Sequence, residues 1–229
     1  MDGNGRWAKQ KMGRNRIFGH KNGVEAVRKV LEATAELGIE YLTLYAFSTE
    51  NWSRPQSEIN ALMDILVGAI SREVNILHKN GVRLRTIGQI DRLPQKCQLQ
   101  LSQAAEKTKN NTRVNLTLAL SYSSKAELVK ATQTIAQKVS AGELKIEEVN
   151  ESTIDSHLET NFMPDPELMI RTSGECRISN FLLWQLAYAE LYFTEVYWPD
   201  FNQEELYKAI LSFQKRERRF GKISEQISN

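Results

Sequence analysis

An alternation of two residue periods along the chain narrows its fold more than any other feature. Gly23 to Leu37 carries apolar residues at helical spacing, with Val24, Val27, Val30, Leu31 and Ala35 on one face. Gly38 stops that helix, and Tyr41 to Phe47 then reads as a buried strand. Ser57–Leu77 predicts a helix closed by Asn80-Gly81, and Val82–Ile87 predicts a strand. Pro94–Lys109 reads as an amphipathic helix, Val114–Leu120 as a strand without internal charge, and Lys125–Val139 as a helix. Ser152–Leu158 is a short helix and Leu168–Ile170 a short buried strand. Phe181–Ala189 is helix-like and apolar, Leu191–Trp198 reads as a strand, and Asn202–Arg219 as the last helix. Strand–helix alternation of this kind predicts an α/β fold with a mostly parallel central sheet flanked by helices. With 229 residues, 41% of them hydrophobic, the chain can bury one large core. Gly142–Glu151 is too short for a domain linker, so a single domain over 1–229 is expected.

Charge and cysteine usage exclude several classes. The 30 basic and 28 acidic residues leave a net charge of +2, without the basic excess of a nucleic-acid binder. Cys97 and Cys176 are the only cysteines, which points to a reducing, cytoplasmic setting rather than a disulfide framework. With three scattered histidines they do not compose a zinc site. No run is apolar enough to cross a bilayer, so a membrane substrate is expected to be met from the cytoplasmic side.

In open α/β sheets ligands bind beyond the carboxyl ends of the strands. Three such segments are rich in polar and cationic residues: Ser48–Arg54, Ser121–Lys125 and Arg171–Ser179. The chain start adds a fourth. There Asp2-Gly3-Asn4-Gly5-Arg6 sets two glycines beside a carboxylate, an amide and a guanidinium. Glycine lets backbone N–H groups approach an anion, and Arg6 can grip a phosphate bidentately. Asp2 would repel phosphate unless a divalent cation bridged them, as Mg²⁺ does with one or two carboxylates plus substrate phosphates. The same stretch also reads as a Gly/Asn turn with surface charges. Arg14, Arg16 and His20 either complete a diphosphate cradle or form a solvated basic loop. Ser48-Thr49-Glu50-Asn51-Trp52-Ser53-Arg54 is a strand-end binding loop or a helix start packed by Trp52. Arg171 and Arg177 suit a second diphosphate or ordinary surface ion pairs. Glu190 reads as a second metal ligand or as a helix-end charge. The basic run Arg216–Arg219 reads as the solvated end of a helix.

Taken together, the motifs carry a resemblance. Asp2–Ala8, Gly19-His20, Phe47–Trp52 with Arg54-Pro55, Ile170–Glu175, Arg177–Gln185 and Arg218–Gly221 resemble the cis-prenyltransferases, most nearly the bacterial undecaprenyl diphosphate synthases. The likeness runs through nearly the whole chain, and the motifs stand in the family's order. It implies that an allylic diphosphate, usually farnesyl diphosphate, binds near Asp2, Gly3, Asn4, Gly5, Arg6, Trp7, Arg16 and His20. Isopentenyl diphosphate is implied near Arg171, Arg177, Ile178 and Ser179. Asp2 and Glu190 match the carboxylates that hold Mg²⁺. Asn51 with Ser48 matches the position linked to proton removal. Thr49, Glu50, Trp52, Arg54 and Glu58 match the substrate-binding segment that orders a loop over the site. Arg219 and Gly221 resemble an element that reaches the neighbouring subunit, which implies a homodimer. A side-chain amide is a poor general base, so Asn51 reads as a positioner. Leu62, Met63, Ile65, Leu66, Val67 and Ile70, with Val114, Leu116 and Leu118, line a tunnel for the growing chain or simply form core. The product would be delivered to the membrane as a carrier-lipid precursor.

Some features depart from the family's pattern. A strand precedes the motif in the family, whereas the chain given begins at the motif, so the strand that anchors Asp2 is expected to be missing. The family's Asn-Tyr-Gly-Gly-Arg run is here Ser121-Tyr122-Ser123-Ser124-Lys125, which predicts a different backbone or anion contact. Glu167 stands for the usual aspartate. The chain lacks the DDxxD motif with which trans-type prenyl synthases hold several metals. Other readings are a synthase of shorter products, a non-catalytic partner subunit and an unrelated phosphate-binding regulatory module. The small residues Ala46 and Gly68 favour an open tunnel. Partner subunits typically lose the metal carboxylate and diphosphate arginines, yet Asp2, Arg6, Arg16, Arg171 and Arg177 are all present.

Overall fold

The structure, a computed structural model, describes residues 1–217. Arg219 and Gly221 lie outside the described residues. Five parallel-paired strands and seven α-helices are formed among those described, so the α/β class holds. The strands make two sheets rather than the one central sheet expected. By packing, the chain divides into two compact units. One comprises residues 34–164 with 179–183, and the other 1–33, 165–178 and 184 onward.

The first of these is built on β1 (Tyr41–Ser48), β2 (Val82–Ile87) and β3 (Val114–Tyr122), in the order β1-β3-β2. The strand without internal charge, β3, takes the centre and is buried along nearly its whole length, as a parallel strand covered on both faces must be. Leu116 sits in register with both Leu42 and Leu84. Helices α3 (Gln56–Lys79) and α4 (Gln95–Thr108) pack on each other and on β2, burying Met63, Val67, Ile70, Cys97 and Leu101. Each fully buried side chain of this kind contributes about 1.5–3 kcal/mol. Gly81, at φ +72, ends the turn after α3. Helix α5 (Ser124–Ser140) is capped by Ser123 Oγ, which accepts from Ala126 N–H at 3.3 Å. Helix α6 (Glu151–His157) is capped by Asn150 Oδ1, which accepts from Thr153 N–H at 3.1 Å.

The other unit holds α1 (Asn4–Met12), most of α2 (Arg16–Glu36), the pair β4 (Leu168–Arg171) and β5 (Glu190–Phe193), and α7 (Gln203–Gln214). A Cβ on Gly19 would lie 1.9 Å from the Asn4 carbonyl oxygen, so glycine is what lets α1 and α2 touch. Trp7 stacks on Phe18 with centroids 5.9 Å apart. Trp198 Nε1 donates to the Gly23 carbonyl at 2.9 Å and its ring stacks on Phe201.

Three element assignments need correction. The helix read from Gly23 begins at Arg16, with Asn15 Oδ1 accepting from Phe18 N–H at 3.1 Å at its start. Phe181–Ala189 forms turns, not a helix, since Ser179, Asn180 and Leu182 all take positive φ. Strand β5 stops at Phe193, and Trp198–Asp200 is a 3₁₀ turn. No described helix is long and apolar enough to cross a membrane.

Candidate active site

In the unit that contains the chain start, Asp2 is the hub. Its backbone is tied to the strand end that follows β4: its N–H donates to Thr172 Oγ1 at 2.9 Å, and that hydroxyl donates back to the Asp2 carbonyl at 2.9 Å. Trp198 N–H adds a third bond to the same carbonyl, at 3.0 Å. The carboxylate accepts from Arg171 Nη2 at 3.0 Å and from Gly3 N–H at 2.7 Å, with Arg6 Nη2 at 3.6 Å. Burial pushes this carboxyl up. The hydrogen bonds from Arg171 and Gly3, with the charges of Arg171 and Arg6, outweigh burial and hold it below the ordinary carboxylate value.

Gly3 stands at φ +92, where a Cβ would meet the Tyr197 ring at 2.5 Å and Ser173 Cβ at 2.7 Å. Only glycine fits there. It starts α1, whose first intrahelical bond runs from Trp7 N–H to the Gly3 carbonyl at 2.8 Å. The N–H groups of the first turn therefore have no partner within the helix. Arg16 crosses this turn, its guanidinium 3.1 Å from where a Cβ on Gly5 would be. Arg6 is held by Ser173 Oγ at 2.6 Å and Glu175 Oε1 at 2.8 Å. Trp7 is buried and donates to Asp200 Oδ1 at 2.8 Å, while Asn4 is also buried. His20 is half-buried on α2.

Arg171 also donates to the Arg177 carbonyl, and Arg177 pairs with Glu175. Hydrogen bonding from Arg177 outweighs burial and, with the Arg6 charge, holds the Glu175 carboxyl down. Glu175 thus links the two arginines of the separate motifs. Gly174 is pressed against Glu195, whose Oε2 would lie 2.4 Å from a Cβ. Ile178 lies near the end of the same segment.

Glu190 is not brought to Asp2. It opens β5 opposite Leu168, three residues before Arg171, or roughly 10 Å back along the strand. Its carboxylate is engaged by Arg216 Nη1 at 2.7 Å. No group of three or more His, Cys, Asp or Glu side chains converges among the described residues. A cation held by Asp2 and completed by substrate phosphates fits this donor set, because hydrated Mg²⁺ needs only one or two protein carboxylates.

The second cluster lies in the unit of the three-stranded sheet, at the carboxyl ends of β1 and β3. Ser48 ends β1, and its N–H donates to Asn51 Oδ1 at 3.2 Å. That bond occupies the amide oxygen and leaves Nδ2 as a donor. Thr49–Ser53 is a 3₁₀ turn. Trp52 packs edge-on against Phe47 at 5.0 Å, and its Nε1 donates to Ser121 Oγ at 2.9 Å. Arg54 pairs with Glu58 at 3.1 Å. Asn180 clamps the region: Nδ2 donates to Glu50 Oε1 at 3.0 Å and Ser123 Oγ at 2.8 Å, while Oδ1 accepts from Lys125 N–H at 2.9 Å. Burial raises the Glu50 carboxyl, but the bonds from Asn180, its own backbone N–H, Ser48 and Thr49 bring it below the usual value. Ser179 takes positive φ beside Asn180.

The Ser123-Ser124 departure is explained here. Ser123 is extended, at φ −150, and Ser124 is helical, so neither needs glycine. Their hydroxyls instead serve as the α5 cap and as acceptor for Leu183 N–H at 2.8 Å. The reading from sequence missed Thr172, Ser173, Tyr197 and Asn180. Thr172, Ser173 and Asn180 stood inside quoted motifs. Nothing in the sequence marked Tyr197.

A parallel α/β fold with a carboxylate, arginines and a glycine-started helix at one strand end defines a class of anion-handling enzymes. The family described as "Putative undecaprenyl diphosphate synthase" matches residues 1–221, and the chain belongs to this family of prenyltransferases. It is 51% identical over 227 residues to the ditrans,polycis-undecaprenyl-diphosphate synthase ((2E,6E)-farnesyl-diphosphate specific) of Vibrio vulnificus strain YJ016, covering 99% of this chain and 90% of that protein. It is 52% identical over 221 residues to the enzyme of the same description from Haemophilus influenzae, covering 96% and 92%. The crystal structure of lavandulyl diphosphate synthase from Lavandula x intermedia, in complex with dimethylallyl diphosphate, superposes with a TM-score of 0.94 at 35% identity, over 97% of this chain and 95% of that one.

Proposed function

We propose that this chain is a single-domain cis-prenyltransferase that condenses isopentenyl diphosphate onto farnesyl diphosphate to make undecaprenyl diphosphate. The observation that carries the reading is the meeting of Asp2 with Arg171 and the first turn of α1. The unbonded N–H groups of that turn, with its dipole, suit the allylic diphosphate, assisted by Arg6 and Arg16. His20, Asn4 and Trp7 complete that side. Arg171, Arg177, Ile178 and Ser179 take the isopentenyl diphosphate. Negative charge grows on the leaving diphosphate as its bond to the allylic carbon breaks, and fixed donors stabilise it. The isopentenyl terminal methylene carbon, C4, bonds to the allylic carbon as diphosphate leaves; the cation left at C3 is quenched when C2 gives a proton to a diphosphate oxygen or water. Asn51, its Oδ1 already bonded to Ser48 N–H, orients the reacting unit rather than removing the proton. Mg²⁺ bound by Asp2 and the diphosphate oxygens would neutralise part of the leaving group's charge. The resemblance gives Glu190 a metal role as well, which requires release of its bond to Arg216. Arg219 and Gly221 are proposed to serve the neighbouring subunit of a homodimer, and the product to pass to the membrane.

Incubation with farnesyl diphosphate, labelled isopentenyl diphosphate and Mg²⁺ is expected to give products of undecaprenyl length. Absence of any elongation would sink the enzyme reading. A synthase of shorter products is the second reading. Product length in the same assay separates the two.

A further inference from the structure

A cation-lined groove lies outside the two clusters of the candidate active site. This open groove of about 650 Å³ runs along the free edge of β2, between α4 and Phe162. That size is ordinary for a small-ligand site. Four cations line it: Arg83, Arg85, Lys109 and Lys130. Its two acids are already committed, Glu159 to Lys130 at 3.1 Å and Glu106 to Lys109 at 2.5 Å. Arg83 and Arg85, two residues apart on one strand, point to the same face and have no ion pair among the described residues. The Arg85 guanidinium stacks on Phe162 at 4.2 Å, and its Nε is buried without a hydrogen-bond partner. Burial first, and then the charge of Arg83, lowers the Arg85 pKa. Two adjacent like charges with no acidic partner among the described residues would be relieved by an anion.

The strand edge itself is closed to a peptide. Leu84 N–H donates to Thr108 Oγ1 at 3.0 Å, Gly88 N–H to Glu159 Oε2 at 2.5 Å, and the Val82 carbonyl accepts from Asn111 at 2.7 Å. An added strand would have to displace all three. We propose that Arg83 and Arg85 form a binding site for a small phosphate-class anion in this groove. Paired guanidinium forks suit the several oxygens of phosphate better than a single halide.

The test follows Arg85 Nε–H and the amides of Thr86 and Gly88 by NMR in the whole chain. Inorganic phosphate is titrated against chloride at matched ionic strength. A saturable shift with phosphate and none with chloride is expected. Arg83→Gln and Arg85→Gln should each weaken it about tenfold, as loss of a charge-assisted contact does. Both variants should elongate prenyl chains at the wild-type rate. Equal response to chloride, no saturable response, or a response unchanged in both variants would overturn the site. So would binding to phosphatidylglycerol vesicles without any response to free phosphate, which would assign the arginines to a lipid surface. Should Arg85→Gln fail to fold, Arg83→Gln alone decides.

Discussion

At the residue scale, Asp2 has two tasks that mutation can separate. It balances Arg171, whose side chain is only 13% exposed, and it offers a carboxylate to a cation. Asp2→Asn keeps the shape and removes the charge. We expect it to lower kcat by at least about a hundredfold, the usual cost of losing one electrostatic stabiliser, while far-UV circular dichroism stays unchanged. Near-normal Mg²⁺-dependent turnover in Asp2→Asn would remove Asp2 from the metal. Because the folded carboxyl titrates below its unfolded value, its contribution to stability is complete above that unfolded value, about 3.9, and fades as pH falls through the folded one. Urea unfolding should therefore show a gap between wild type and Asp2→Asn at about pH 5 that closes below about pH 4. A gap that widened in acid would reverse the sign. Arg177 is 60% exposed, and its side chain pairs with Glu175 two residues before it. Arg177→Ala is expected to raise KM for isopentenyl diphosphate with little change in Tm. An effect confined to farnesyl diphosphate would exchange the two sites.

At the element scale, α1 and α2 depend on glycines that the sequence shows only as glycines. Gly19→Ala would drive a methyl group into the Asn4 carbonyl, 1.9 Å away, whereas Gly13, at φ +57, faces open space. Gly13→Ala should cost about 1 kcal/mol for its left-handed backbone. Gly19→Ala should cost more, about 2–3 kcal/mol of overpacking, and should displace the first turn of α1. Equal Tm values for the two would show that the helices separate without strain. Several elements were legible beforehand. Strand β2 was read to the residue, and β1, β3, α3, α4 and α5 to within a few residues, because each has a clear period and a Gly, Pro or Ser boundary. Phe181–Ala189 was misread because its apolar residues suit a helix. What breaks it is Ser124 on another segment, whose Oγ accepts from Leu183 N–H and whose N–H donates to the Asn180 carbonyl. Local periodicity carries no record of such long-range competitors.

At the scale of the whole molecule, the unit holding Asp2 is assembled from three separate stretches of chain. The bonds between Asp2 and Thr172 form only once residues 170 positions apart have met. One cooperative thermal transition is therefore expected, with calorimetric and van't Hoff enthalpies equal; two resolved transitions would show separately folding units. The sequence by itself determined the class of fold, the family and the motif residues, since periodicity and ordered motifs survive without any contact being known. It left the chain start open between a turn and a phosphate cradle. Only the tertiary structure decided that Asp2 meets Arg171, that Glu175 joins Arg6 to Arg177, and that Glu190 turns to Arg216 instead. Arg83 and Arg85, without an ion pair among the described residues, emerged the same way. Ion pairing depends on distances of a few ångströms between segments far apart in sequence, and folding alone sets those distances.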